Sequence, residues 1–275
     1  MTVPARDAPL RTAGGGYREP ERPLRQRLAG WVPALLALAV LGACAFLVGA
    51  DPRRLLEGLP RLAAWAARAW PPDFTDFPTL LLRAGETAAI ATLGTALAGV
   101  LAAPLALLAA RNATPFPWLQ QPVRWVLDGL RGVDAFVFAL LFVAAVGLGP
   151  FAGMLGVMLH TAGSMAKLWS EQLETADPGP ADAASMTGAG RAAIAAWVLL
   201  PDRLPGLASA ALYLWEFNLR ASTVLGLVGA GGIGQELKNA VDLLLFDRVF
   251  AILLVILALV AAVDRASALL RRRLS

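Results

Sequence analysis

Six runs of this sequence, residues 31–50, 85–110, 132–149, 151–169, 204–228 and 249–263, are too apolar to form a water-facing surface. A bilayer core takes roughly 20 apolar residues in helical form, and a helix satisfies its own backbone inside lipid. Composition agrees with that reading. Charged residues make up 16% of the 275-residue chain, apolar ones 57%, and the mean hydropathy is +0.62. A soluble chain usually carries about a quarter charged residues. The expected fold class is therefore all-α: a polytopic membrane protein with about six transmembrane helices. Pro104 should kink the second span, and the short sixth could begin nearer Leu243.

The polar segments order these spans. Residues 1–30, rich in Arg, Pro and Gly, read as a disordered basic tail. Residues 31–83 hold the first span and a long connection, and residues 84–275 form the core with a polar loop at 170–203. No small-residue cleavage site follows the first run, so it is kept as a span rather than a signal peptide. In the connection Leu55, Leu59, Leu62, Trp65 and Ala66 recur at helical spacing until Trp70-Pro71-Pro72, which predicts a short helix at the membrane surface. Most of the 24 Lys and Arg lie in the tail, in the loops 111–131 and 170–203, and after Val263. By the positive-inside rule both termini are then cytoplasmic. The single Cys44 permits no internal disulfide, and His160, the only histidine, permits no histidine-rich metal site.

One motif points elsewhere. Val228 to Gln235, "VGAGGIGQ", contains the spacing Gly-x-Gly-x-x-Gly at Gly229, Gly231 and Gly234. In a dinucleotide enzyme those glycines join a strand to a helix and let the backbone approach a pyrophosphate. Here they follow an apolar span on what the charge pattern makes the outer side. Gly229, Gly231, Gly232 and Gly234 are expected to shape a tight extracytoplasmic turn instead, with no bound cofactor. No Gly-x4-Gly-Lys-Ser/Thr, Gly-x-Ser-x-Gly or His-Glu-x-x-His is present.

The polar loop contains "ADAASMTGAGRAAIAAWVLLP", residues 181–201. Its first half, Asp182 to Thr187, suits a helix with an acidic start. Gly188 allows a left-handed turn, and Arg191 to Leu200 suits an apolar helix ended by Pro201. The spacing of Asp182-Ala183-Ala184, Gly188, Val198 and Leu200-Pro201 resembles the cytoplasmic loop of binding-protein-dependent ABC-transporter permeases. That family usually has Glu where this chain has Asp182. From about Glu86 onward, "ETAAIATLGTALAGVLAAPLALLAARNATP", "VGLGPFAG", "HTAGSMAKLWSEQLE" and "VLGLVGAGGIG" are similar to the phosphonate-type permeases.

The resemblance implies a type I, methionine-permease-like fold in a bacterial inner membrane. It implies two permease copies, in a homodimer, and two cytosolic ATPase subunits that bind ATP and Mg and engage the loop. It also implies an extracytoplasmic phosphonate-binding protein; no nucleic acid is expected. Phosphonates or related oxyanions such as phosphate and phosphite are the implied substrates. A methionine-like or other small-solute permease, and a membrane-embedded enzyme with an unrecognised site, are the alternatives.

Ionisable groups inside spans are costly and mark functional or bundle-locking positions. Glu216 and Arg220 are four apart, at the spacing of an intrahelical ion pair, with Asn218 between them. Arg220 alternatively attracts an anionic phosphonate through its planar fork. His160, Ser164 and Lys167 share a helical face. His160 and Ser164 join Glu216, Asn218 and Arg220 as candidates for the translocation path, with His160 favoured as a hydrogen-bonded packing group and Lys167 as a group that snorkels to the surface.

Overall fold

The computed structural model describes residues 10–11, 17–18 and 24–274. A two-residue antiparallel ladder pairs β1 (Leu10–Arg11) with β2 (Tyr17–Arg18), and the other elements among the described residues are helical. The fold class is all-α, as the sequence predicts. Most of the basic tail expected at residues 1–30 lies outside the described residues.

The chain divides into two compact units, residues 1–63 and 64–275. The first carries α1 (Leu24–Val48) and the start of α2 (Pro52–Arg68). Within α1, Trp31–Val48 is long and apolar enough to cross a membrane. The Asp51 carboxylate accepts the Arg53 backbone N–H at 2.9 Å, occupying one of the donors that a helix start leaves open. The connection is thus helical where its apolar spacing predicts, with Leu55, Leu59 and Leu62 on one side and Arg54 and Arg61 on the other.

The second unit contains α3 (Phe77–Ala109), α4 (Pro117–Gly132), α5 (Ala135–Val146), α6 (Pro150–Glu174), α7 (Pro178–Met186), α8 (Arg191–Ile194), α9 (Leu200–Leu225), α10 (Ile233–Asp242) and α11 (Phe246–Leu274). Helix α6 is the hub, and small residues explain why. A β-carbon on Gly156 would lie 2.7 Å from the Ala139 nitrogen of α5, and one on Gly163 would lie 2.6 Å from Leu130 Cβ of α4. Lipid gives helices no hydrophobic reason to associate, so close backbone approach supplies the packing energy. Ala102, Ala106, Leu127, Met165, Ala166 and Leu214 then close a core between α3, α4, α6 and α9. Leu80, Ala84, Ile233, Ala240 and Ile252 close a second one between α3, α10 and α11.

Three helices among the described residues pass as membrane spans by length and composition: Trp31–Val48, Phe77–Ala109 and Phe246–Arg273. The α4–α5 pair, bent by 86°, makes up to a fourth. The break falls where Asp134 caps α5 by accepting the Phe136 N–H at 2.8 Å, so the expected third span is only the 12 residues of α5. Helices α6 and α9 have 25 and 26 residues, enough to span, but carry the polar groups that keep them less apolar. Pro104 lies inside α3 without ending it. A start nearer Leu243 for the last span is close to the observed one at Phe246.

Candidate translocation path and coupling elbow

The loop between α6 and α9 folds into an elbow. Helix α7 starts at Pro178, where the Asp177 carboxylate accepts the Gly179 N–H at 3.0 Å. Asp182 is therefore exposed inside α7 and does not begin it, because Asp177 followed by proline is the stronger start signal. Gly188 turns the chain at φ +81°, with nothing within 4 Å of where a β-carbon would sit.

The second limb differs from the sequence reading in one respect. Pro201 does not end a helix. Residues Ala195–Leu199 form a π-helical stretch, in which the Leu200 N–H reaches back five residues to the Ala195 carbonyl, and α9 follows without interruption. Proline lacks a donor and crowds the carbonyl four residues before it; the wider π register accommodates both. The elbow is consequently continuous with α9, which begins at Leu200 rather than Leu204.

Apolar contacts seat the elbow on the bundle. Ile194, Ala195 and Leu199 are buried with Ala110, Ala113 and Leu173, and Ala184, Val198 and Leu200 pack around them. Ala183 is exposed. Two large apolar side chains point away: Met186 is 88% exposed and Trp197 82%. Sequence spacing passes over both, since it marks Val198 and Leu200, whose role here is to hold the elbow in place.

The glycine run occupies the opposite end of α9. A 3-10 turn, Gly226–Val228, leads into Gly229, Gly231 and Gly232, all at φ between +75° and +81°. The Gly229 carbonyl accepts the Gly149 N–H at 2.9 Å, locking this turn to the "GLGP" turn before α6. The Ile233 N–H donates to Thr87 Oγ1 at 2.8 Å, and the Gly232 N–H to Glu86 Oε2 at 3.3 Å. A β-carbon on Gly234 would stand 1.9 Å from the Thr223 carbonyl oxygen. These amides are committed to side chains and turns of the bundle. Helix α9 and the 3-10 turn, not a strand, lead into the run, so it lacks the strand-to-helix context of a dinucleotide site.

The polar groups within the helices separate into three kinds. Asn218 is 1% exposed and donates to Thr95 Oγ1 at 2.8 Å and Thr161 Oγ1 at 2.9 Å, tying α9 to α3 and α6. It is a sealed cross-link between the three helices. His160 places Nδ1 2.8 Å from the Val133 carbonyl, which is exposed by the break between α4 and α5. Ser164 is buried beside that face. Lys167 pairs with Asp128 of α4 at 3.2 Å instead of extending freely to the surface.

The third kind is charged. Glu216 and Arg220 do not pair with each other. Arg271 of α11 reaches Glu216 at 2.5 Å, and Asp264 of α11 lies 3.6 Å from Arg220. Helix α11 runs antiparallel to α9 with its own acid and base in complementary order, so each α9 charge finds a partner across the helix interface. An i,i+4 pair on one helix would add no link between helices.

A groove of about 260 Å³ lies nearby between α3, α6 and α9, walled by Trp169, Met165 and Trp215. Both indole N–H groups are engaged: Trp169 with the Leu207 carbonyl at 2.9 Å and Trp215 with Thr92 Oγ1 at 3.0 Å. The groove offers an anion no charge. The α9–α11 seam does.

The described residues thus form a helical bundle with a projecting elbow and ionisable groups at its helix seams. The chain belongs to the family of inner membrane components of binding-protein-dependent transport systems, whose model matches residues 102–275. It is a permease subunit, not an enzyme. It is 41% identical over 239 residues to the phosphite transport system permease protein PtxC of Stutzerimonas stutzeri, a match covering 87% of each chain. It is 38% identical over 257 residues to the phosphate-import permease protein PhnE of Mycolicibacterium smegmatis, covering 92% of this chain and 48% of that one. Among solved structures, the inward-facing MetNI methionine ABC transporter shares the fold at a TM-score of 0.62 and 22% identity, over 71% of this chain and 96% of that one.

Proposed function

We propose that this chain is the membrane permease of an ABC importer for phosphonates or related oxyanions such as phosphite and phosphate. A separate cytosolic ATPase, binding ATP and Mg, drives it at the elbow, and an extracytoplasmic solute-binding protein supplies the substrate. Both termini are cytoplasmic, which puts the glycine turn on the outer face. Two copies form the pathway as a homodimer.

The 41% identity to a phosphite permease over 87% of both chains carries the substrate class. The elbow supplies the mechanism. ATPase closure displaces Met186 and Trp197; the continuous π-to-α connection passes that displacement into α9. Helix α9 bears Glu216, Asn218 and Arg220, so the charged seam moves with the elbow, while the turn at Gly229, Gly231, Gly232 and Gly234 anchors the far end. His160 and Ser164 line the neighbouring helix α6.

Reconstitution with its ATPase and binding protein in vesicles tests the reading. ATP-dependent uptake of phosphite or methylphosphonate, with none of methionine, is expected. Methionine uptake that oxyanions do not inhibit would assign the chain to the other branch of the fold.

A further inference from the structure

The two ion pairs of the α9–α11 seam differ in kind. Glu216 and Arg271 are hydrogen-bonded at 2.5 Å, and the Glu216 side chain is only 11% exposed. Arg220 and Asp264 are 3.6 Å apart, beyond hydrogen-bonding distance, and are 49% and 45% exposed. Asp264 Oδ1 is itself inaccessible to water and accepts no hydrogen bond among the described residues, as is also true of Ser267 Oγ one turn further along α11.

Their height in the bundle makes this unusual. Helices α3 and α11 begin together, since the Asp73 N–H donates to the Asp247 carbonyl at 3.2 Å and Arg248 reaches Asp76 at 3.6 Å. Thr95, the Asn218 partner, lies 18 residues along α3, and Asp264 lies 18 residues along α11. At 1.5 Å per residue both are about 27 Å from that shared end. Arg220, two residues from Asn218, is therefore a half-exposed arginine at the level of Thr95, within the length of α3, a helix long and apolar enough to cross a membrane. Lipid does not solvate such a group; a water-filled pathway or a second copy must face it.

We propose that Arg220 recognises the tetrahedral oxyanion in transit, and that Asp264 is its resting counter-charge, displaced by the oxyanion and restored on release. This rests on the oxyanion reading of the importer given above. A phosphoryl group offers two oxygens to the guanidinium fork in charge-assisted hydrogen bonds, which Asp264 at 3.6 Å does not make. Asp264 in turn keeps Arg220 from standing unpaired when the path is empty. It also weakens net capture. A pathway needs that, because a solute held too well does not leave. Arg271 is poorly suited to this role, because a bound anion would have to break its hydrogen bond to Glu216.

The proposal is tested by equilibrium binding of methylphosphonate and of inorganic phosphate to the full permease–ATPase complex in nanodiscs, without the binding protein. Asp264→Asn should bind about tenfold more tightly than the unmodified complex. Its transport kcat and KM should fall together, the pattern of slowed release. Arg220→Gln should bind neither anion, and Arg220→Lys should bind weakly, with the charge kept but the fork lost. Asp264→Glu, which preserves the counter-charge if the neutral variant fails to assemble, should bind no more tightly than the unmodified protein. Anion binding indifferent to Arg220→Gln, or full transport by the Arg220→Gln/Asp264→Asn double variant, would overturn the proposal alone. Saturable methionine binding that neither anion displaces would remove the oxyanion reading and the proposal together.

Discussion

Glu216 and Arg271, 55 residues apart in sequence, meet at 2.5 Å between α9 and α11. Breaking a fully buried ion pair from one side costs about 3–5 kcal/mol, because the other charge is left stranded. Arg271 is 34% exposed, so water offsets part of that loss. Glu216→Gln and Arg271→Gln should each destabilise the protein by about 2 kcal/mol. The double variant should regain most of the loss. Thermal unfolding of the four proteins in detergent completes the cycle, and a double variant no better than the two single losses added together would deny the coupling.

The elbow gives a functional prediction with a small structural cost. Gly188→Asp places a side chain at φ +81°, a strain of roughly 1–2 kcal/mol, with no atom of the chain in its way. The variant should insert and fold, yet lose ATP-driven uptake in reconstituted vesicles. Trp197→Ala should weaken ATPase association about tenfold or more, as removal of a central aromatic anchor does. A binding titration with the purified ATPase reads that directly; unchanged affinity would mean that the exposed indole faces something else.

Gly234→Ala should be far more damaging than Gly188→Ala. A β-carbon at position 234 would lie 1.9 Å from a backbone oxygen of α9, which no rotamer change relieves. The turn would have to move, and the Thr87 and Glu86 hydrogen bonds with it, for a loss of about 3 kcal/mol. Gly188→Ala meets no neighbour and should cost about 1 kcal/mol through φ alone. Comparing melting temperatures and yields of the two alanine variants checks the difference.

How much was legible follows from which interactions are local. The elbow is written in consecutive residues: Gly188 takes the left-handed turn that its position predicts, and small side chains flank it. Its boundaries were less legible. Asp177 competes with Asp182 for the helix start, and a π register lets the chain run through Pro201 where a proline would ordinarily stop it. The α4–α5 break falls beside the boundary expected at residue 132, where Asp134 caps α5, but most of the expected loop 111–131 is itself helical, as α4.

By itself the sequence determined the all-α membrane class, the family and the elbow, because apolar run length, turn chemistry and motif spacing are properties of neighbouring residues. It named Glu216, Asn218 and Arg220 as the unusual groups of α9 but could not assign their partners. Helical periodicity tells which residues of one helix share a face; it carries no information on which face of another helix arrives opposite. Only the packed bundle decided that Asn218 is sealed against Thr95 and Thr161, that Arg271 takes Glu216, and that Arg220 stands loosely beside Asp264. In a low-dielectric interior those pairings fix what each charge can do, and they depend on contacts between segments far apart in the chain.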